Sequence, residues 1–178
     1  MRHCLAYLAE GQFEDYYTAL TKDISEKFSV ANLAERIAPH MTLVYPFEMD
    51  DTTQLEKQIE QLASGQKAVP FIVKGLSSFD GPDRTIFLEL IDREKLAPLI
   101  QHFSKGLAYL RTEKDFNHTN IHAHISLVRH LDENTFNQIW QYLHTLPVPD
   151  FKMSFDNVTL FVFENKKWNV KKIFRFAS

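Results

Sequence analysis

Residues 39–47, PHMTLVYPF, form a short apolar run between two prolines, and the run carries His40 and Thr42 two positions apart. Successive side chains of a β-strand point to opposite faces, so residues two apart share a face. His40 and Thr42 therefore share one face of a predicted strand, while Met41 and Leu43 turn to the core. Polar side chains in a buried strand need a partner or a chemical role.

The same pattern recurs at an offset of 84 residues, the separation of His40 from His124. HISLV at 124–128 repeats HMTLV at 40–44, and it places Ser126 two positions after His124. A fixed offset of this kind indicates a duplicated architecture. Apolar positions in the following segments keep the register: Leu55, Ile59 and Leu62 fall on Ile139, Leu143 and Leu146, and Val69, Phe71, Leu76 and Phe79 fall on Met153, Phe155, Leu160 and Phe163.

Strand and helix patterns alternate along the chain. Strands are predicted at 2–9, 40–47, 69–79, 84–91, 122–130, 151–163 and 168–176, and helices at 11–28, 52–63, 93–110 and 133–145. We predict an α+β protein, a single bilobal domain over residues 1–178. Its two pseudo-symmetric lobes are each an antiparallel sheet with helices on its outer face, around a central cleft. Four phenylalanines at repeat-equivalent strand positions are expected in the core: Phe71, Phe79, Phe155 and Phe163.

Composition narrows the class of protein. The chain has 178 residues, 44% of them hydrophobic and 24% charged, which is enough to bury a sizeable core. A net charge of -3 argues against a general basic surface that coats nucleic acid. The apolar run at the amino terminus is too short for a signal-peptide core, and no segment approaches 18 apolar residues, so we expect a cytoplasmic monomer with no membrane partner. The single cysteine, Cys4, excludes an internal disulfide.

Two histidines and two hydroxyls that face one cleft suit reaction at a phosphodiester. Histidine has a pKa near 6.5, so one ring can accept a proton from a nucleophile while the other donates a proton to a leaving oxygen. The hydroxyls of Thr42 and Ser126 can donate hydrogen bonds to the non-bridging oxygens. This scheme requires no metal and no other cofactor.

The paired motifs HMTL and HISL resemble those of the 2H phosphoesterase superfamily, and most closely its bacterial 2'-5' RNA ligase-like and cyclic nucleotide phosphodiesterase group. The resemblance covers essentially the whole chain. It implies that His40 and His124 are the acid and base and that Thr42 and Ser126 bind the phosphate. It also implies substrates with a 2',3'-cyclic phosphate, an ADP-ribose cyclic phosphate or a 2'-5' linkage, on RNA ends or small nucleotides. We assign His40 to the leaving oxygen and His124 to the water; the reverse is chemically equivalent.

Three further residues are predicted to contact the substrate. Many relatives have a basic residue after the second motif, which Arg129 preserves, and a proline before it, which Ala123 replaces. Simple strand alternation sends Arg129 to the face opposite His124, so its contact with phosphate needs a bulge or twist. Tyr45 and Trp168 are candidates to stack on a base, because aromatic faces accept any base.

Two alternatives remain open from the sequence. The first is a nucleotide- or RNA-binding module that has the cleft but no turnover. The second is a metal-dependent hydrolase, since His122 and His124 share a strand face and could form half of a metal site. Within the preferred class, 2'-5' RNA ligation is the same linkage chemistry run in reverse.

Overall fold

The computed structural model describes residues 1–81, 84–110 and 122–177. The strands in these residues are β1 (Arg2–Leu8), β2 (His40–Glu48), β3 (Val69–Phe79), β4 (Arg84–Ile91), β5 (Ile125–Leu131), β6 (Asp150–Phe155), β7 (Asn157–Glu164) and β8 (Lys167–Arg175). The α-helices are α1 (Gln12–Phe28), α2 (Thr53–Ala63), α3 (Ala97–Gly106) and α4 (Glu133–Leu143). The helix predicted at 93–110 is shorter than expected, because 3₁₀ turns at Arg93–Leu96 and Ala108–Leu110 flank α3.

The strands form two four-stranded antiparallel sheets. Sheet 1 has the order β2-β1-β7-β8, and sheet 2 has the order β5-β4-β3-β6. The strands that carry the two histidine motifs, β2 and β5, are each the edge strand of a sheet, and these edges contact each other. The predicted α+β class with two antiparallel lobes is confirmed.

Each half of the chain contributes strands to both sheets. The first half places β1 and β2 in sheet 1 but β3 and β4 in sheet 2, and the second half places β5 and β6 in sheet 2 but β7 and β8 in sheet 1. The single strand predicted at 151–163 is therefore wrong. It is two strands, β6 and β7, separated by Asp156, because the chain passes there from one sheet to the other.

The two sheets share one hydrophobic core. Helices α1 and α4 pack over sheet 2 through β5 and β4, and α2 and α3 pack over sheet 1 through β7, β8 and β2. One cluster of buried side chains joins Leu5 and Tyr7 of sheet 1 to Phe71 and Val73 of sheet 2. Within the described residues, no helix combines the length and apolar character needed to cross a bilayer.

Candidate active site

His40 is the first residue of β2, and it is anchored through one ring nitrogen. Its Nδ1 lies 2.9 Å from the carbonyl oxygen of Ala38. A carbonyl oxygen can only accept a hydrogen bond, so Nδ1 carries the hydrogen. Nε2 is therefore the nitrogen that exchanges a proton. Thr42 follows on the same face and is half-buried, whereas Met41 and Leu43 are buried in the core as predicted.

His124 is anchored in the same way, directly before β5. Its Nδ1 lies 2.6 Å from the carbonyl oxygen of His122, again two residues earlier in the chain. The same tautomer follows, with Nε2 as the exchanging nitrogen. Ser126 is half-buried on this face, while Ile125 and Leu127 are buried in the core. The two motifs are thus alike in geometry as well as in sequence.

The structure brings the two histidines together across the contact between β2 and β5. Burial is the largest cause that lowers the pKa of His40 to about 4, and the charges of His124 and Arg129 act in the same direction. Burial also lowers the pKa of His124, with His122 and Arg129 adding to the effect. Both imidazoles are therefore neutral at pH 7 in the free protein.

A β-bulge in β5 brings Arg129 to the histidine face. Ser126 is opposite Phe87 of β4, but Val128 is opposite the very next residue, Ile86, so two residues of β5 span one step of β4. A bulge of this kind interrupts the alternation of side chains. The residue after it therefore returns to the face of Ser126, which agrees with the effect of Arg129 on the pKa of both histidines.

The first motif carries the same bulge. Thr42 is opposite Ala6 of β1, and Val44 is opposite the adjacent residue, Leu5. Tyr45, the counterpart of Arg129 at the repeat offset, thereby comes to the face of His40, and its side chain is 40% exposed. One motif therefore places an aromatic side chain, and the other a guanidinium, at equivalent positions of the cleft.

Aromatic rings line this cleft, and one of them, Phe79, was assigned to the core from the sequence. Phe79 and Phe87 pack against His124, with ring centroids 4.9 and 5.0 Å away, and Phe161 lies 6.1 Å from His40. The expectation that Phe79 is a core residue is wrong, because its ring forms part of the wall beside His124.

The core prediction has three other outcomes. Phe71 and Phe155 are buried as expected. Phe163 is 37% exposed, so its assignment to the core is wrong. Its strand, β7, belongs to sheet 1 rather than continuing β6, and the repeat offset therefore does not give its surroundings.

Trp168 lies on β8, and packing holds its side chain in place. Its backbone N–H donates to the carbonyl of Arg36 at 2.7 Å. Its ring packs 5.2 Å from Phe163, and the guanidinium of Arg2 lies 5.6 Å from its centroid. Trp168 joins a small cluster with Phe161, and the ring of Phe161 lies 6.1 Å from that of His40. The strand register puts Trp168 on the face of sheet 1 that carries His40, because Trp168 is opposite Phe163, Phe161 is opposite Cys4, and Thr42 is opposite Ala6. Both predicted stacking residues, Tyr45 and Trp168, therefore lie on the histidine face.

The alternative metal site gains no support from side-chain placement. In residues 1–81, 84–110 and 122–177, no group of three or more His, Cys, Asp and Glu side chains is arranged to hold a metal ion. His122 instead contacts Arg93, whose Nη1 lies 2.8 Å from its Nε2. A guanidinium is always charged, so this contact disfavours a cation at His122.

An apolar pocket of about 220 Å³ lies elsewhere in the molecule. It is formed by α1, β3 and the connection between α4 and β6, and it is lined mainly by Tyr16, Leu20, Leu76, Leu146 and Pro147. It contains neither motif histidine. The cleft between β2 and β5, with its paired imidazoles and hydroxyls, is therefore the candidate active site.

Comparison with known proteins identifies the family and the fold. Residues 17–167 match the model of a family described as the 2'-5' RNA ligase superfamily. A protein named "Putative phosphoesterase" from Geobacillus sp. (strain WCH70) is 24% identical over 177 residues, 98% of this chain and 95% of that protein. Among solved structures, TT0787 of Thermus thermophilus has a TM-score of 0.64 at 15% identity, and E. coli LigT in complex with 3'-AMP has 0.61 at 18%. Each structural match covers 99% of this chain and 98% of the other, and it shows a common fold.

Proposed function

This chain belongs to the 2'-5' RNA ligase superfamily, and from that membership we propose that it is a metal-independent phosphodiesterase. Its substrates would be 2',3'-cyclic phosphodiesters, or related cyclic or 2'-5' phosphodiesters, of RNA ends or small nucleotides. One observation carries the proposal: two histidines with the same Nδ1 anchor meet across one cleft, each with a hydroxyl two residues further on. LigT has been solved with 3'-AMP, which supports a nucleotide ligand for this fold.

The pKa shifts support different roles for the two histidines. His40 has the pKa near 4, so it enters the reaction neutral and suits the role of base. The anionic phosphodiester raises the pKa of an imidazole beside it. We assign the proton to His124 because the pKa of His40 is lowered as far as about 4. We therefore reverse the assignment made from the sequence, so that His40 activates water and His124 is the acid.

The reaction is an in-line displacement at phosphorus. Water attacks the phosphorus atom while Nε2 of His40 takes its proton, and the bond from phosphorus to the 2' or 3' oxygen breaks. Nε2 of His124 gives its proton to that leaving oxygen. The hydroxyls of Thr42 and Ser126 and the guanidinium of Arg129 hold the non-bridging oxygens, whose charge distribution changes in the transition state. With a ribose hydroxyl in place of water as the nucleophile, the same steps join that hydroxyl to the cyclic phosphate, which is the ligation reaction.

Replacing either histidine tests this function. His40→Ala and His124→Ala should each lower turnover of a 2',3'-cyclic nucleotide by about 100- to 10,000-fold, the usual range for a general acid or base. Thr42→Ala and Ser126→Ala should slow the reaction less, because each removes one hydrogen-bond donor. Products are separated by chromatography, which also identifies the 2'- or 3'-phosphate.

The matched control is His144→Ala. His144 is an exposed histidine whose Nδ1 also donates to a backbone carbonyl, that of Trp140 at 2.8 Å, and we expect its replacement to leave turnover unchanged. Full activity of both His40→Ala and His124→Ala on every substrate that the parent cleaves would refute the mechanism. Nucleotide binding by the parent without any product would favour the binding-module alternative.

A further inference from the structure

We propose that Arg93 and His122 form a second anion-binding subsite, which binds a phosphate adjacent to the reacting one. The inference rests on the proposed function, because it concerns how the same cleft selects its substrate. Arg93 begins the 3₁₀ turn after β4, and His122 lies two residues before His124. Neither belongs to the two repeated motifs, and the first motif has no histidine in the position equivalent to His122.

The position of His122 relates it directly to the reaction centre. Its carbonyl accepts the hydrogen bond that fixes the His124 ring, and the two ring centroids are 6.2 Å apart. Both rings pack on the same wall, since Phe79 and Phe87 lie 5.3 and 5.4 Å from His122. A second phosphate on the same or the neighbouring nucleotide can reach His122 while the first stays at His124.

The contact between Arg93 and His122 suits an anion. Nη1 of Arg93 lies 2.9 Å from Nδ1 and 2.8 Å from Nε2 of His122. A guanidinium only donates hydrogen bonds and a neutral imidazole has a single acceptor nitrogen, so at most one of these two contacts is a hydrogen bond. The guanidinium side chain is exposed and has further N–H groups for a ligand. A charged guanidinium and a neutral imidazole thus lie side by side at the cleft.

A phosphate would change the state of this pair. Burial lowers the pKa of His122, Arg93 lowers it further, and Glu89 opposes them. His122 is therefore neutral beside Arg93 in the free protein. A phosphate in contact with both side chains favours the protonated imidazole, which then donates to the anion as the guanidinium does. The subsite gains positive charge only when a negatively charged group occupies it.

The proposed subsite predicts that, among substrates with the same reacting cyclic phosphate, the protein prefers those that carry a second phosphate. Adenosine 2',3'-cyclic phosphate carries only the reacting phosphate. A 5'-phosphorylated form of it, and a dinucleotide that ends in a 2',3'-cyclic phosphate, each carry a second one. Comparison of these two distinguishes a terminal phosphate from an internal phosphodiester as the group that the subsite binds.

The kinetic test uses Arg93→Gln and His122→Asn. Each variant should reduce the ratio of kcat/KM for a substrate with a second phosphate to kcat/KM for adenosine 2',3'-cyclic phosphate by about 10- to 100-fold, the usual effect of losing a hydrogen bond to a charged group. The reduction should appear in KM rather than in kcat. A drop for one of the two larger substrates identifies which phosphate binds. An unchanged ratio for both, including an equal loss on all three substrates, overturns the proposal.

Lys95→Gln is the matched control. Lys95 belongs to the same 3₁₀ turn as Arg93, but its Nζ donates to Asp92 at 2.7 Å. Its replacement removes one positive charge from the same turn, and the ratio should stay unchanged. A ratio that falls as far in Lys95→Gln as in Arg93→Gln would show a general charge effect and overturn the subsite.

A binding measurement keeps this inference separate from the proposed function. If the parent cleaves none of the substrates, the proposed function fails, but calorimetry still tests the subsite. Adenosine 3',5'-bisphosphate should bind the parent about 10- to 100-fold more tightly than adenosine 3'-monophosphate, and Arg93→Gln should abolish that difference. Equal affinity of the parent for the two nucleotides overturns the inference, whatever the outcome for turnover.

Discussion

At the scale of single residues, His40 and His124 share a backbone anchor but differ in their surroundings. The pKa of His40 is lowered to about 4, and that of His124 is lowered from 6.5. The proposed mechanism needs one neutral and one protonated ring. The base is lost as the pH falls through about 4, where His40 becomes protonated, and the acid is lost as the pH rises through the pKa of His124, which burial holds below its ordinary value. The profile of kcat/KM, which reports the free enzyme, should therefore peak below about pH 6.5.

Titration of the histidine ring protons by NMR checks the same prediction without catalysis. One resonance should titrate near pH 4 and disappear in His40→Gln. Arg129→Gln removes a positive charge that lowers the pKa of both histidines, so it should move both titrations to higher pH. Replacement of Arg84, which pairs with Glu133 on the surface, should leave both titrations unchanged. A His40 resonance that titrates near the ordinary histidine pKa of about 6.5 would contradict the assignment of His40 as base.

At the scale of elements, the motif strands could be predicted but the bulge in each was not. Alternation correctly places each histidine and the hydroxyl two residues later on the same face of their strand. The bulge has a sequence signal, because Leu43-Val44 and Leu127-Val128 put two apolar residues in succession at the same point of both motifs. All four are buried, which a strictly alternating strand with one polar face does not allow. A prediction that used these paired apolar residues would have placed Arg129 on the same face as Ser126.

The division between β6 and β7 has no comparable signal. The pattern of apolar and polar residues continues without a break through 150–164, as it would in one long strand. The repeat offset identifies similar segments of the chain, but it does not show which strands pair in a sheet. The change of sheet at Asp156 depends on partners far away in the chain, β3 for β6 and β1 for β7. Long-range pairing of this kind is decided by tertiary contacts, so local patterns did not predict it.

Asn157 holds the beginning of β7 against the end of β1. It is fully buried, its Oδ1 accepts from the Leu8 N–H at 3.1 Å, and its Nδ2 donates to the Leu8 carbonyl at 3.0 Å. Asn157→Ala leaves both backbone groups unpaired, so the free energy of unfolding should fall by about 2 to 5 kcal/mol in urea titrations. Asn169→Ala is the control, because its exposed bond to Glu164 spans 3.3 Å and its loss should change stability by less than about 0.5 kcal/mol. Equal effects of the two substitutions would contradict this role.

At the scale of the whole molecule, the lobes are joined by more than the contact between β2 and β5. The exchange of strands means that neither half of the chain completes a sheet alone. The helices add a second exchange: α1 follows β1 of sheet 1 but packs on β5 of sheet 2, and α3 lies between strands of sheet 2 but packs on β2 of sheet 1. Separation of the lobes would therefore remove helix packing from both sheets and would part β2 from β5 at the cleft.

We predict that residues 1–178 unfold as one cooperative unit, and the two tryptophans allow a direct test. Trp140 lies on α4 over sheet 2, and Trp168 lies on β8 of sheet 1. Trp168→Phe leaves a reporter of the sheet 2 lobe, and Trp140→Phe leaves a reporter of the sheet 1 lobe. In each variant, the urea midpoint from fluorescence should coincide with the midpoint from far-UV circular dichroism, because a shared core and exchanged strands leave no lobe that is stable alone. Each variant is its own control, since both signals come from the same molecule. A fluorescence transition that precedes the loss of secondary structure in one variant would show that its lobe unfolds separately.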